Sequence, residues 1–207
     1  MRIISGVHKG KKIQAPKNLP IRPTTDRAKE SLFNILENKY VFENKKILDL
    51  FSGSGNISFE FSSRANVEIT AVDNNINCIE FISKINKELN YNITTVQSNC
   101  RNFINTTNEK FDIIFMDPPY DYTEYHILRE LIIEKKLINE DGCLIIEHDR
   151  NTMFEDDTID LRKYGKWTHY NTKPYIINLY CTKCYGHWWS LGCSPCFCTI
   201  CAFYLLY

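Results

Sequence analysis

The chain has 207 residues, of which 43% are hydrophobic and 24% are charged, and its formal net charge is zero. This composition suits one α/β domain, or one domain and a small appendage, and it excludes a chain that is disordered or basic throughout. The opening "MRIISGVHKGKK" lacks the apolar core of a leader peptide, and no run is long enough for a transmembrane helix, so we expect a cytoplasmic protein without a membrane partner.

The first 21 residues form a basic segment without any acidic residue. The segment is interpreted as a hairpin whose cations are either solvated edge charges or contacts for nucleic-acid phosphates. The following stretch "RPTTDRAKESLFNIL" (22–36) leads into a helix, for which Thr25 or Asp26 is the expected N-cap. The basic residues of the segment are Arg2, Lys9, Lys11, Lys12 and Lys17.

Short apolar runs then alternate with amphipathic stretches. Apolar strands that alternate with helices are typical of a mostly parallel sheet covered on both faces. In such sheets, ligands bind beyond the carboxyl ends of the strands. The predicted strands are 45–51, 67–73, 93–97, 111–117 and 142–148, and the predicted helices are 76–89, 124–137 and one that opens after Gly55.

The first strand ends in "LDLFSGSGN", which predicts a ligand-binding loop. Gly53 and Gly55 let the backbone approach a ligand closely, although two glycines also fit a plain tight turn. The third glycine of a dinucleotide fingerprint is replaced by Ser58. Asp73 ends the next strand about 20 residues on, where an acidic residue binds ribose hydroxyls, so we expect an adenosine-containing cofactor other than NAD. Three roles stay open for Asp49: it orients the glycine loop, it faces the cofactor's amino-acid end, or it caps the loop structurally.

The stretch "FDIIFMDPPYDY" (111–122) places a carboxylate and two prolines directly after an apolar strand. Proline cannot donate to a sheet ladder and restricts the residue before it. Asp117 should therefore stand at a rigid, acceptor-rich corner formed with Pro118 and Pro119 and ending in the ring of Tyr120. A capped strand end in a turn is the alternative interpretation.

The order of these motifs resembles a known family. "DLFSGSG", an acidic strand end and then "DPPY" are similar to S-adenosylmethionine-dependent methyltransferases that act on exocyclic amines. "MRIISGVHKGKKI" followed by "RPTTDR" narrows the resemblance to the bacterial 16S rRNA (guanine-N2)-methyltransferase family, often called RsmD, over about residues 1–180. The resemblance implies a class I Rossmann-like fold, with a mostly parallel seven-stranded sheet and an N-terminal basic β-hairpin.

The resemblance also implies roles for individual residues. Asp117 and the Pro118 carbonyl would accept both hydrogens of the guanine amine, while Tyr120 would stack on the flipped base. Asn99 stands where the family has an aspartate that contacts adenine, and its amide can still accept a hydrogen bond. The positions expected to bind the cofactor are Asp49, Phe51, Gly53, Gly55, Asp73 and Asn99. A projecting hairpin and the segment after it would contact RNA through Arg2, Lys9, Lys11, Lys12, Arg22, Thr24, Thr25 and Arg27.

We therefore expect a monomeric enzyme that methylates guanine N2 in small-subunit rRNA, either free or in an assembling subunit, with S-adenosylmethionine as donor. The reaction needs no metal, strong base or covalent intermediate, because the methyl donor is already activated. Two alternatives stay open. The same "DPPY" motif serves methyltransferases of adenine N6, and Asn99 together with the unusual tail also fits an inactive RNA-assembly factor.

The last 27 residues differ in composition from the rest. The expected methyltransferase domain covers 1–180, with 1–21 as its basic arm and a closing hairpin near 170–180, and a Cys-rich tail covers 181–207. Paired C-x2-C motifs are typical of zinc sites, but here they crowd together. A zinc knuckle and an extension without function both remain open, and disulfides do not suit a cytosolic chain. The candidate metal ligands are Cys181, Cys184, Cys193 and Cys196.

Overall fold

A computed structural model describes residues 1–16, 19, 24–119, 122–147, 161–164 and 167–171, with residue 125 and the last two ranges described by their backbone only. Helices and strands alternate along these ranges. The helices are α1 (Asp26–Lys39), α2 (Asn56–Arg64), α3 (Ile76–Leu89), α4 (Cys100–Thr106) and α5 (Tyr125–Glu134). The strands are β1 (Lys46–Leu50), β2 (Glu68–Asp73), β3 (Ile93–Gln97), β4 (Phe111–Met116), β5 (Ile138–Glu147), β6 (Leu161–Tyr164) and β7 (Trp167–Asn171).

The strands form one sheet in the order β3-β2-β1-β4-β5-β7-β6. The first five strands of the chain pair in parallel, and β7 pairs antiparallel with β5 and β6. The chain builds outward from β1 to β3 on one side and then from β4 to β5 on the other, so the strand order reverses between β1 and β4. Ligands bind at such a reversal, outside the carboxyl ends of the strands.

Helices cover both faces of the parallel strands, as the apolar strand sequences predicted. Neighbouring residues of β1 point into different cores: Ile47 packs with α1, α2 and α3, whereas Leu48 packs with α4 and α5. Both side chains are fully buried. The expectation of an α/β protein with a covered parallel sheet is therefore confirmed.

Two elements differ from the sequence expectation. Helix α4 was not predicted, because its seven residues bury only Cys100 and Ile104 and give a weak periodic signal. Strand β5 begins at Ile138, four residues before the predicted start at 142. Its register against β4 shifts after the Phe111–Ile138 pair, so a polar insertion interrupts the apolar pattern. The closing hairpin predicted near 170–180 lies almost wholly outside the described residues.

The N-terminal arm, residues 1–13, folds back on itself. The Ile3 amide donates to the Lys11 carbonyl at 3.0 Å, and Arg2 and Lys12 form a single antiparallel bridge. Ile3 and Ile13 are buried in the core beside α1 and α2. The arm is thus attached to the domain by its apolar residues.

The tip of the arm lies against the C-terminal end of α2 instead of projecting. The Val7 amide donates to the Ser63 carbonyl at 2.7 Å, and the His8 amide donates to Ser63 Oγ at 3.0 Å. A Cβ atom on Gly6 would stand 1.7 Å from the Ser63 carbonyl oxygen, and its φ is +83°. Only glycine allows this approach.

Candidate active site

The loop after β1 turns through three residues in the left-handed region. These are Phe51 at φ 60°, Gly53 at 52° and Gly55 at 73°. Gly55 is also the N-cap of α2, and a Cβ atom there would come within 2.9 Å of Ile82. For Phe51 this conformation costs about 1–3 kcal/mol, and such strain concentrates at ligand sites. The sequence expectation of a tight loop opening a helix is met.

The end of β2 holds this loop in place. Asp73 Oδ2 accepts from the Gly53 amide at 2.8 Å, and its Oδ1 accepts from the Asn75 amide, also at 2.8 Å. The Ser52 amide donates to the Val72 carbonyl at 3.0 Å. A carboxylate has about four acceptor positions, so Asp73 can accept two further hydrogen bonds. A half-buried carboxylate fixed in this way fits the paired hydroxyls of a ribose.

Asp49 lies beneath the loop and is buried, with only 2% of its surface exposed to solvent. The Ser58 hydroxyl donates a hydrogen bond to the Asp49 carboxylate. Ser58, which stands where a dinucleotide fingerprint has its third glycine, therefore serves to hold this carboxylate. Burial raises the pKa of Asp49 to about 7, and the carboxylates of Asp117 and Asp73 add to this rise, although the Ser58 hydrogen bond opposes it. The three acidic residues therefore share one electrostatic environment.

The pKa of Asp49 predicts a pH-dependent stability. A folded-state pKa of about 7 lies well above the ordinary pKa of an aspartate, so the folded protein binds the proton more tightly than the unfolded chain does. Asp49 should therefore lower the free energy of unfolding as pH rises from about 4 to 7, by up to about 1.4 kcal/mol per pH unit. Asp49→Asn should remove this decline, which urea unfolding of the ligand-free protein at several pH values would measure.

The difference between the two stability curves isolates Asp49, because all other titrating groups are common to both proteins. Above pH 7 the Asn variant should be the more stable protein, and near pH 4 the two should converge. Parallel curves across this range would contradict a buried carboxyl with a raised pKa.

The predicted catalytic corner lies beyond β4. Asp117 follows the strand and is half-buried, Pro118 is buried, and Pro119 is exposed. The Pro119 carbonyl accepts from the Tyr122 amide at 2.9 Å. Tyr120, the expected stacking residue, lies outside the described residues. Within the described residues, the corner therefore joins a half-buried carboxylate to a buried proline at the end of β4.

An aromatic contact connects this corner to the glycine loop. Strands β1 and β4 are in register at Leu50 and Met116, so the chain leaves both strands side by side. The rings of Phe51 and Tyr122 then meet edge to face, with centroids 5.1 Å apart. Tyr122 was not predicted as a site residue, and its position two residues after the tyrosine of "DPPY" is the available signal. Its hydroxyl donates to Glu124 at 3.4 Å.

Asn99 follows β3 at the same edge of the sheet and caps α4. Its Oδ1 accepts from the Arg101 amide at 2.9 Å, and the residue is exposed. Asn99 Oδ1, which was expected to accept a hydrogen bond from adenine, thus caps the helix α4. The contact to adenine stays a prediction.

A family model described as "Conserved hypothetical protein 95" matches residues 1–177. The chain belongs to this family. The match confirms the resemblance found in the motifs, because relatives across the same region are ribosomal RNA small subunit methyltransferases D. One from Buchnera aphidicola is 37% identical over 151 residues, covering 72% of this chain and 78% of the relative. The Escherichia coli protein of that name is 34% identical over 155 residues, covering 71% of each.

Solved structures agree with this family assignment. The Escherichia coli protein yhhF superposes with a TM-score of 0.72 and 26% identity, covering 83% of this chain and 96% of that one. A methyltransferase of Podospora anserina bound to S-adenosylhomocysteine (SAH) has a TM-score of 0.55 at 15% identity, covering 71% of this chain and 78% of that one, which is a likeness of fold. The methyltransferase type of the α/β fold is thereby confirmed.

In this family member, the lysines expected to meet RNA lie on the surface of the arm. Lys9, Lys11 and Lys12 are all exposed. Arg2 forms an ion pair within the protein, since its Nε donates to the Asp26 carboxylate at 3.0 Å. Exposed ion pairs of this kind are weak, so Arg2 can exchange Asp26 for another anion.

The other residues expected to contact RNA surround the start of α1. Thr25 caps the helix, with its Oγ1 accepting from the Ala28 amide at 3.2 Å, which confirms one of the two predicted caps. Thr24 is half-buried, Arg27 is exposed, and Arg22 lies outside the described residues. Helix capping is therefore sufficient to explain a threonine at position 25, without a contact to RNA.

The described part of the chain contains no group of three acidic, histidine or cysteine side chains that could hold a metal ion. The candidate zinc ligands of the tail lie outside it. Among the described helices, none has the length and apolar character needed to cross a membrane.

Proposed function

We propose that this protein transfers a methyl group from S-adenosylmethionine to the exocyclic N2 of a guanine in small-subunit rRNA. One observation carries the proposal: Asp117 follows β4 beside the strained glycine loop that follows β1, because Leu50 and Met116 pair at the ends of these strands, and Asp73 fixes that loop. The family relatives named as rRNA methyltransferases support the reaction and the substrate class.

The residues divide the task between the ends of three adjacent strands, β2, β1 and β4. When bound, S-adenosylmethionine supplies a methyl group that is already activated as part of a sulfonium. Asp73 binds the ribose hydroxyls, and the loop from Phe51 to Gly55 surrounds the remainder. Asp117 and the Pro118 carbonyl accept the two amine hydrogens and turn the nitrogen lone pair toward the methyl group. Tyr120 stacks on the flipped base and excludes water.

Transfer of radiolabelled methyl groups to small-subunit rRNA, followed by mapping of the modified base, tests this function. Label on guanine N2 supports it, whereas label on adenine N6 supports the alternative amine substrate. Binding of SAH and RNA without any transfer, to free rRNA or to assembling subunits, would instead indicate an assembly factor.

We further propose that the exposed lysines of the N-terminal arm bind RNA phosphates. Changing Lys9, Lys11 and Lys12 together to Ala should weaken rRNA binding and reduce the slope of log K against log salt by about two to three units, because each lost phosphate contact removes about 0.7–0.9. Fluorescence anisotropy over a salt series measures the slope, and calorimetry should find unchanged SAH affinity.

A control with the same loss of charge comes from another surface. Lys84, Lys87 and Lys110 are exposed and lie outside the arm. Their triple replacement by Ala should leave the slope close to that of the parent protein. Equal slopes in the arm variant and the parent protein would show that the arm lysines are solvated surface charges and do not contact RNA phosphates.

The proposal extends to the whole chain. Residues 1–180 form the methyltransferase domain, with a seven-stranded, mostly parallel sheet and the basic hairpin of residues 1–21, and the protein acts as a monomer in the cytoplasm. The family match to residues 1–177 supports this boundary. Residues 181–207 form a tail that the reaction does not need.

A further inference from the structure

A buried lysine joins three separate segments beneath the glycine loop. Lys29 lies on α1 and is only 1% exposed. Its Nζ donates to the Arg2 carbonyl at 2.7 Å and to Asn56 Oδ1 at 2.8 Å, and it forms an ion pair with Glu60 at 2.9 Å. An ammonium group has three donors, so all three are used. The arm, the start of α2 and the ion pair therefore meet at one atom.

Asn56 carries this junction to the glycine loop. It is the first residue of α2 and directly follows Gly55, which provides no side-chain cap. While Lys29 holds the Oδ1 of Asn56, its Nδ2 donates to the Thr24 carbonyl at 3.2 Å. Both ends of the Asn56 amide are thus fixed by residues from other segments. These two contacts fix the residue that directly follows the glycine loop.

Glu60 connects the same junction to the arm. Its carboxylate oxygens accept from the amides of Ile4 at 2.9 Å and Ser5 at 3.0 Å, and also from Arg64 Nε at 2.8 Å. Glu60 is fully buried. Buried ion pairs contribute little net stability, but their directional contacts can specify one arrangement of the chain.

We propose that Lys29 is a positioning residue that links cofactor binding to RNA binding by the arm. This inference rests on the function proposed above. Because Nζ has no spare donor, a shift of the Arg2 segment or of Asn56 breaks a buried hydrogen bond, so both sites favour one common arrangement. Each ligand then strengthens the binding of the other by the same factor.

The linkage is measured as the affinity for a small-subunit rRNA transcript with and without saturating SAH. The parent protein should bind the transcript about fivefold or more tightly when SAH is present. Lys29→Met should bind SAH about tenfold more weakly in the absence of RNA, and its linkage factor should fall toward one. Glu60 keeps Arg64 as a charged partner in this variant, which favours folding.

Two further variants separate positioning from general stability. Asn56→Ala removes the side-chain contacts of Asn56 to Lys29 and to the Thr24 carbonyl while it leaves the Lys29–Glu60 ion pair, and it should also abolish the linkage. Lys135→Met is the matched control, since Lys135 Nζ donates to three carbonyls at the end of α4. It should lower the melting temperature without changing SAH affinity or linkage.

Three results would overturn the inference: no linkage in the parent protein, unchanged linkage in the Lys29→Met and Asn56→Ala variants, or an equal loss in Lys135→Met. None of these depends on methyl transfer, so failure of the proposed function is a separate result. Linkage that is present in the parent protein and lost in both site variants would establish the positioning role of Lys29, whichever base is methylated.

Discussion

Asp117→Ala should reduce methyl transfer to rRNA by a factor of about 10²–10³ or more at saturating cofactor, as is found when one preorganised hydrogen-bonding group is removed from an active site. The carboxylate is proposed to accept a hydrogen bond from the amine of the base, and its replacement leaves the glycine loop and Asp73 in place. SAH affinity measured by calorimetry should therefore stay within a few-fold of the parent value, while the single-turnover rate of transfer of a labelled methyl group falls by the factor given above.

Asp117→Asn provides the graded control. The amide keeps one acceptor oxygen in almost the same shape but carries no charge, so its rate should lie between those of the parent and the Ala variant. Removal of a carboxylate near Asp49 should also lower the raised pKa of Asp49, because Asp117 is one of its causes. A transfer rate near the parent value in Asp117→Ala would remove Asp117 from the catalytic role.

Asp73→Ala should have the complementary effect and weaken cofactor binding by about 100-fold or more. Each charge-assisted hydrogen bond contributes about 1.5–3 kcal/mol, and the variant loses the proposed contacts to two hydroxyls as well as the Asp73 anchor of the Gly53 amide. Calorimetric titration with SAH measures this loss directly. The KM for S-adenosylmethionine should rise, while kcat recovers at high cofactor concentration because the Asp117 corner is unchanged.

Asp73→Asn distinguishes ribose binding from loop support. Its remaining carbonyl can accept from the Gly53 amide, so the loop keeps its anchor while one charged acceptor is lost. An intermediate affinity is expected for this variant. If Asp73→Ala bound SAH as tightly as the parent protein, Asp73 would serve only to hold the glycine loop.

The sequence by itself determined the features that depend on neighbouring residues. The apolar run before Asp117 and the two prolines after it placed the end of a strand correctly, since proline acts through its own ring and backbone. Gly53 and Gly55 predicted a tight loop for the same local reason. The sequence limited the cap of α1 to Thr25 or Asp26, because a capping side chain bonds to an amide only two or three residues away, and Thr25 is the cap.

The tertiary structure alone decided the features that join distant segments. The Ser5 amide meets Glu60 across 55 residues, and Lys29 meets Asn56 across 27, so no local pattern indicated that these charged side chains are buried together. The raised pKa of Asp49 likewise depends on burial and on carboxylates from two other strands. Whether a polar residue is exposed, paired or buried follows from the packing of the whole chain, because desolvation and Coulomb interactions act through space and not along the sequence.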